Sequence, residues 1–186
     1  MLTREVNFAL KDGRKVVLRN PRNEDIPGLL DYLVRSAGES DFIMRYPEEC
    51  AKYTAEGEAK WIEDNNSNEN AAVLVCEVDG KIAGNCSVHR NPMMKVRHRA
   101  FIAIALLKEF WGCGIGTAMF REMEHIAGEW EGVTQLELEF VEGNARARSL
   151  YEKRGFRIVG VRPDAYRFKD GTLHNEYVMM KKLPQE

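Results

Sequence analysis

The sequence contains few cysteines, and none of them lies in a metal-binding or redox spacing. Four occur among 186 residues, namely Cys50, Cys76, Cys86 and Cys113, with no C-x-x-C pair. Free thiols in a reducing compartment are therefore strongly favoured over a zinc site or a disulfide framework. We therefore expect four free thiols, no metal site and a cytoplasmic location, where thiols stay reduced.

The sequence also lacks a long apolar run, a secretion signal and a strong charge of either sign. Its longest apolar segment, residues 100–107, is far shorter than the roughly 20 residues of a membrane span. Residues 1–10 lack the charged, apolar and small-residue regions of a signal peptide. The formal net charge is -2, which gives no general attraction to nucleic acid or anionic membranes. We therefore expect neither as a partner.

The order of hydrophobic patterns predicts one mixed α/β domain over residues 1–186. The length suits a single domain, and no repeat or linker interrupts it. Turn signals at Asp12-Gly13, Asp79-Gly80 and Asp170-Gly171 separate strand-like segments and predict three hairpins. The predicted hairpin strands are 7–10 with 15–19, 72–78 with 81–88, and 157–162 with 174–183. Helices are predicted over 23–35, 55–64, about 115–130, and 144–154.

Residues 100–107 give the most apolar strand signal in the chain. Phe101, Ile102 and Ile104 lie within an unbroken apolar run. A strand that is apolar at every position is typical of a sheet covered by helices on both faces. We therefore expect a central strand here, buried on both faces, with the predicted strand 133–141 in the same sheet.

Three glycines stand at alternate positions between this strand and the next helix. The segment reads Gly112-Cys113-Gly114-Ile115-Gly116, and glycine lets backbone N–H groups approach a ligand without a Cβ in the way. The positive end of the helix dipole would add to the attraction for a phosphate. The alternative is a plain connecting turn. Neither the dinucleotide-binding spacing nor the lysine of an ATP-type P-loop is present, since Thr117 follows Gly116.

A second informative segment runs from Asn144 to Phe156. Asn144 is an expected N-cap and Gly155 an expected helix stop, so the segment alone predicts only a short helix. Together with the glycine loop, however, it resembles the GCN5-related N-acetyltransferase (GNAT) superfamily. The resemblance covers roughly residues 19–183 and is strongest over 104–156. It implies a central, mixed and mostly antiparallel sheet of about seven strands with about four helices.

The resemblance implies an acetyl-CoA site without a metal, built largely from backbone groups. Ile104, Ala105 and Leu106 would face the pantetheine arm, and a backbone N–H near Leu106 would stabilise the oxyanion. Asn144 would contact the cofactor arm. Trp111 departs from the family pattern, which has Arg or Gln there, and so removes one polar contact. The implied pyrophosphate-binding residues are Trp111, Gly112, Cys113, Gly114, Ile115, Gly116 and Thr117.

Tyr151 is the catalytic residue that the resemblance implies most directly. It matches the tyrosine that serves the family as general acid to the departing thiolate. A phenol with an ordinary pKa near 10 and a thiol near 8.5 differ by roughly 1.5 units, so full proton transfer is uphill. We therefore expect Tyr151 to act mainly as a hydrogen-bond donor, the alternative being an aromatic that only packs against the sheet.

The general base is sought among three glutamates. Glu137 and Glu139 share one face of the predicted strand 133–141, and that face either opens onto a cleft or is simply solvated. The segment around Glu139 also resembles bacterial N-acetyltransferases that act on ribosomal-protein N-termini, in which the matching glutamate is the proposed base. Glu139 is therefore our candidate, with Glu137 second. Glu176 is a third, although an edge-strand charge is the simpler interpretation.

The sequence thus predicts an N-acetyltransferase that moves an acetyl group from acetyl-CoA to a primary amine of a small molecule or a protein N-terminus. The alternative is a catalytically silent acyl-CoA-binding sensor, against which Tyr151 argues because a pure binder needs no acid. Arg148 and Arg154 are candidates for binding the 3′-phosphate, or are solvated helix charges. The oligomeric state stays open, with a homodimer as one arrangement.

Overall fold

Eight strands form one sheet in the computed structural model, which describes residues 1–184. The strands are β1 (Val6–Ala9), β2 (Lys15–Arg19), β3 (Ala71–Val78), β4 (Lys81–Arg90), β5 (Arg99–Leu106), β6 (Gln135–Val141), β7 (Arg157–Arg167) and β8 (Leu173–Lys182). Their order is β1-β2-β3-β4-β5-β6-β8-β7, and β5 and β6 alone among neighbours are parallel. The mixed, mostly antiparallel sheet is therefore confirmed, as are the three hairpins.

Five α-helices accompany the sheet. They are α1 (Ile26–Glu39), α2 (Pro47–Cys50), α3 (Ala55–Ser67), α4 (Ile115–Glu129) and α5 (Ala145–Lys153). Helix α1 begins three residues later than predicted, because Asn23–Asp25 form a 3-10 turn and Pro27 occupies the first turn of the α-helix. No helix within residues 1–184 has the length and apolarity that a membrane crossing requires.

The helices cover the two faces of the sheet unequally. On one face α4 buries Ile115, Met119 and Met123 against the strands. On the other face, α1 and α3 pack over β3 through a small cluster of Leu29, Ile62 and Val75. That second layer reaches β5 at Ala105, whose carbonyl oxygen accepts a hydrogen bond from Tyr32 of α1 at 3.2 Å. It leaves the earlier part of the strand uncovered, so the prediction that the central strand is buried on both faces was wrong: Phe101 is 40% exposed and Ala103 is also exposed.

The parallel strands β5 and β6 separate soon after they meet. Their pairing is limited to Arg99 with Gln135, Ala100 with Leu136, and Phe101 with Glu137. Both strands continue beyond this point, β5 to Leu106 and β6 to Val141. The backbone of β5 therefore runs along an opening in the sheet rather than along a partner strand.

A β-bulge in β4 lies beside the last residues of β5. The register of β3 on β4 shifts by one residue between Cys76, which faces Gly84, and Glu77, which faces Ile82. Gly84 then lies so close to β5 that a Cβ on it would be 2.4 Å from the carbonyl oxygen of Ala105. Only glycine fits at this contact, since the obstructing atom belongs to the backbone.

Replacing Gly84 by alanine is expected to lower the free energy of unfolding by about 2 kcal/mol, in the range seen for overpacked sites. Gly128, in α4, has no atom within 4 Å of its Cβ position. Gly128→Ala is therefore the matched control, and we expect it to be neutral or stabilising by up to about 1 kcal/mol. Urea denaturation of both variants measures the difference. Equal stabilities would show that β5 moves freely away from β4.

Candidate active site

The opening between β5 and β6 exposes backbone groups of β5. The N–H of Leu107 donates to the carbonyl of Ala83 at 2.9 Å, so these two form a hydrogen-bonded pair of the antiparallel ladder. Because such pairs alternate along a ladder, the N–H and C=O groups of Ile104 and Leu106 point away from β4. They point into the opening, where the resemblance had placed the pantetheine arm.

The glycine loop lies at the end of β5 and leads directly into α4. Gly112 has φ +77° and Gly114 has φ +88°, and a side chain would be strained at either. The side chain of Ile115 is fully buried, and Cys113 is half-buried. The loop and the first turn of α4 thus present mainly backbone to the outside.

The N–H groups of this loop are available for an anion. Within residues 1–184, the backbone N–H groups of residues 112 to 117 form no hydrogen bond, and the first one to do so is that of Ala118, which donates to Gly114. Free N–H groups at a helix N-terminus bind anions, and the first turn of α4 has no acidic residue to compete. The geometry therefore suits a phosphate, as the glycine spacing predicts.

Trp111 takes a more active part in the loop than its sequence position suggests. Its indole N–H donates to the carbonyl oxygen of Leu106 at 2.8 Å, which ties the loop to the end of β5. The guanidinium carbon of Arg146 lies 4.7 Å from the centre of its ring, and the Lys108 ammonium lies 5.9 Å from it. Two cationic side chains thus lie next to Trp111. The sequence predicted only that this tryptophan removes one polar contact to the cofactor.

Tyr151 is 7% exposed and is held between aromatic rings. Its ring centre is 5.5 Å from that of Phe120 and 5.9 Å from that of Phe140. The hydroxyl makes no hydrogen bond to any residue from 1 to 184, and it is not among the fully buried atoms that lack a partner. Burial raises the pKa of Tyr151 to about 12.

Helix α5 begins after Asn144 and ends before Gly155, as the sequence predicts. The side-chain oxygen of Asn144 accepts a hydrogen bond from the N–H of Ala147 at 3.1 Å and so caps the helix. Gly155 has φ +86° directly after the helix. Gly116 allows α4 to pack against α5, since a Cβ there would lie 3.1 Å from a methyl group of Leu150. Since the cap uses only its oxygen, the amide N–H groups of Asn144 make no hydrogen bond to any of residues 1–184.

Glu139 lies in β6 beside the opening and has a perturbed carboxyl. Its side chain is 33% exposed, and the Arg162 guanidinium lies 3.5 Å away. Partial burial raises the pKa of Glu139, the negative charge of Glu176 adds to the rise, and the charge of Arg162 opposes it. A carboxylate of raised pKa beside a cleft is a candidate base.

Glu137 differs from Glu139 although both share one face of β6. Arg99 donates to it with two nitrogens, one of them at 2.7 Å, and Gln135 also donates to it. Burial would raise the pKa of Glu137, but these hydrogen bonds and the Arg99 charge outweigh burial and lower it. An ion-paired carboxylate of lowered pKa is the weaker base, which favours Glu139.

Glu176 is not the edge-strand charge that the sequence suggested. Strand β8 lies between β6 and β7, so Glu176 is inside the sheet and its side chain is 3% exposed. It accepts hydrogen bonds from Arg162 and from the hydroxyl of Tyr166, the latter at 2.5 Å. The strand order β6-β8-β7 cannot be read from chain order, which is why the prediction was wrong.

The segment between α1 and α2, together with α2, closes one end of the site, and no hydrophobic period in the sequence predicts this. The ring of Phe42 lies 3.7 Å from the Cβ position of Gly143, in the turn before α5. Glu48 pairs with Lys169 of the β7–β8 hairpin. A cavity of about 50 Å³ remains between the segment before α2 and the β7–β8 hairpin. It is lined by Asp41, Ile43, Met44, Tyr46, Val141, Tyr166, Arg167 and Phe168.

The arginines considered for the 3′-phosphate already have acidic partners. Arg148 donates to Glu152 at 2.8 Å, and Arg154 pairs with Glu124. The four cysteines are free thiols, as expected, and all but Cys113 are buried.

Comparison with known proteins identifies this arrangement. The family model described as "Acetyltransferase (GNAT) family" matches residues 34–156. L-amino acid N-acetyltransferase AaaT of Escherichia coli is 28% identical over 108 residues, which are 58% of this chain and 66% of that protein. The [ribosomal protein bS18]-alanine N-acetyltransferase of Haemophilus influenzae is 40% identical over 76 residues, 41% of this chain and 51% of that protein.

A solved structure gives the same result for the fold. The crystal structure of an acetyltransferase of the GNAT family from Streptococcus pneumoniae matches with a TM-score of 0.83 and 26% identity. The match covers 90% of this chain and 99% of that one. The alignment with the first curated relative spans slightly under two thirds of that protein's length. Since the family model covers well over half of the 186 residues, this chain belongs to the GNAT family of acetyltransferases.

Proposed function

We propose that this chain transfers an acetyl group from acetyl-CoA to a primary amine of a small molecule or a protein N-terminus. The observation that carries the proposal is the meeting of the β5–β6 opening with a loop of unpaired N–H groups. An extended thioester arm suits the first feature, and a pyrophosphate suits the second. Tyr151 packs against Phe140 on one face of β6, and Glu139 lies on the other face of the same strand.

Acetyl-CoA would be held mainly by backbone groups. Ile104 offers its N–H and C=O groups along the opening and Leu106 offers its N–H, since the Leu106 carbonyl already accepts from Trp111. Residues 112 to 117 offer N–H groups to the pyrophosphate. Asn144 keeps its amide N–H groups for the cofactor arm. A backbone site of this kind tolerates the substitution at Trp111, because its donors do not depend on side chains.

The proposed reaction is direct acyl transfer. The amine nitrogen attacks the thioester carbonyl carbon, the new C–N bond forms and the C–S bond breaks. Glu139 takes the proton that the amine loses, and the N–H of Leu106 stabilises the negative charge on the carbonyl oxygen. Tyr151 donates a hydrogen bond to the departing sulfur, which leaves as the thiolate.

The raised pKa of Tyr151 determines how it can help. A phenol with a pKa of about 12 and a thiol of ordinary pKa near 8.5 differ by about 3.5 units, or about 5 kcal/mol. Complete proton transfer from Tyr151 to the thiolate is therefore uphill. A hydrogen bond to the sulfur stabilises the developing charge without that transfer.

The acceptor would meet an acidic environment on the open face of the sheet. Glu139 provides a carboxyl group there, and the guanidinium beside it, from Arg162, is also paired with the buried carboxylate of Glu176. An excess of negative charge favours a cationic amine before its deprotonation. The E. coli relative is named for L-amino acids and the H. influenzae relative for a ribosomal protein alanine, and both acceptors carry an α-amino group.

The free thiols support a reducing compartment such as the cytoplasm.

The proposal is tested first by cosubstrate binding and turnover. At about one hundred times its Kd, a ligand adds about 2.7 kcal/mol of stability, which raises Tm by roughly 5–10 °C for a chain of this size. Acetyl-CoA should give this shift in a thermal melt, whereas NAD and ATP should not. Thiol release from acetyl-CoA should then depend on the added amine in a panel of amino acids, polyamines and peptides. A shift with ATP alone would overturn the cosubstrate assignment.

Tyr151→Phe is expected to lower kcat about ten- to hundredfold, the worth of a hydrogen bond to a charged group. Tyr177→Phe is the matched control, because the Tyr177 ring stacks on the same Phe140 ring at 5.3 Å. That control should change kcat by no more than about twofold. Steady-state thiol release measures both. Equal kcat values in the two variants would remove Tyr151 from the chemistry.

Glu139→Gln is expected to lower kcat about a hundredfold and to abolish the acid limb of the pH–rate profile. The limb arises because the rate falls as pH drops through the raised pKa of Glu139 and the carboxyl becomes protonated. Charged and titratable groups near Glu139 are Glu137, Glu176, Arg162 and Tyr166. Arg162 is the positively charged group among these four. Arg162→Gln should raise the pKa of Glu139 further, so the acid limb should move to higher pH.

Glu137→Gln is the control for this experiment, since Glu137 is on the same face two residues away but is paired with Arg99. Its kcat should stay within about twofold of the original, with the acid limb in place. An unchanged pH profile in Glu139→Gln would contradict the assignment of the base and would point to a water relay.

A further inference from the structure

Arg146 lies over the glycine loop although it belongs to a different helix. It is the second residue of α5, and its guanidinium carbon is 4.7 Å from the centre of the Trp111 ring. One terminal nitrogen, Nη2, is the nearest atom to the Cβ position of Gly112, at 3.9 Å. The guanidinium thus lies at the start of the row of unpaired N–H groups.

The charge of Arg146 is not neutralised by the protein. Among residues 1–184 no carboxylate lies within salt-bridge distance of it. The two other arginines of the same region differ in this respect, since Arg148 pairs with Glu152 and Arg154 with Glu124. An arginine kept beside an anion site, and left without a carboxylate, is available to an anionic ligand.

Trp111 fixes the orientation of this arginine. The indole N–H is committed to the carbonyl of Leu106 at 2.8 Å, so the ring is held in place and offers its face to the guanidinium. A guanidinium that contacts an aromatic face keeps N–H donors at its edge. Trp111 itself has no donor left for a phosphate, and it presents one from Arg146 instead.

We propose that Arg146, positioned by Trp111, binds the pyrophosphate of coenzyme A together with the backbone N–H groups of residues 112 to 117. The proposal rests on the proposed use of acetyl-CoA. It assigns to Trp111 and Arg146 jointly the polar contact that an arginine or glutamine at position 111 would make alone. Lys108, whose ammonium lies 5.9 Å from the Trp111 ring, adds a second positive charge nearby.

The test compares Arg146→Gln with Arg148→Gln, which removes an equal charge from the same helix at an arginine that has an acidic partner. Titration calorimetry measures Kd for coenzyme A, for dephospho-coenzyme A, which lacks only the 3′-phosphate, and for pantetheine, which lacks every phosphate. Arg146→Gln should raise Kd for the first two by about tenfold or more, as for a lost charge-assisted hydrogen bond. It should leave Kd for pantetheine unchanged, and Arg148→Gln should alter none of the three.

Two further measurements make the test specific. Arg146→Gln should raise KM for acetyl-CoA and leave kcat unchanged, because the phosphates do not take part in the chemistry. A double variant, Trp111→Arg with Arg146→Gln, should recover most of the lost affinity by supplying the cation from position 111. Thermal melts of each variant without ligand show whether the fold is intact.

Different outcomes separate the two proposals. If the unmodified chain does not bind coenzyme A, the proposed function fails. If it binds coenzyme A but Arg146→Gln behaves like Arg148→Gln, the assignment of Arg146 fails alone. An affinity loss that occurs with coenzyme A and disappears with dephospho-coenzyme A would place Arg146 at the 3′-phosphate and overturn the assignment to the pyrophosphate.

Discussion

The early separation of β5 from β6 is the constraint on which the rest of the site depends. A parallel pair of central strands normally hydrogen-bonds along its length, but here only three residues of each strand pair. The unpaired N–H and C=O groups of β5 are costly to leave without partners in a protein interior. Solvent or an extended ligand must satisfy them. On one face of the sheet Phe101 and Ala103 of β5 are exposed, and Glu139 of β6 lies on that same open face.

Opposite charges are arranged at the two ends of the opening. At the glycine loop, free N–H groups, the N-terminus of α4, Arg146 and Lys108 all favour an anion. On the open face, Glu139 favours a cation, and the charge of the neighbouring Arg162 is balanced by the buried Glu176. A negatively charged thioester and a positively charged amine would therefore be drawn to different parts of one site. This arrangement keeps an acidic base beside the acceptor without repelling the phosphates.

The parts of the site that the sequence predicted correctly are those encoded locally. Alternating glycines, an N-capping Asn144 and a helix stop at Gly155 each act within a few residues. What could not be predicted depends on long-range pairing. Glu176 lies inside the sheet only because β8 pairs with β6, and Arg146 reaches Trp111 only because α5 packs beside the loop. The segment closing the site around Phe42 has no hydrophobic period, so neither its short helix nor its contact with Gly143 could be predicted.

Burial raises the pKa of both proposed catalytic groups, Tyr151 and Glu139. The same change suits one to donate a hydrogen bond and the other to accept a proton. It raises the pKa of Tyr151 to about 12, which keeps the phenol protonated at neutral pH and able to donate a hydrogen bond. It also raises the pKa of Glu139, which makes the carboxylate a better proton acceptor as long as it stays ionised. Arg162 limits that second rise. The balance of burial and the Glu176 charge against this one arginine therefore sets the pH above which Glu139 is ionised while Tyr151 keeps its proton.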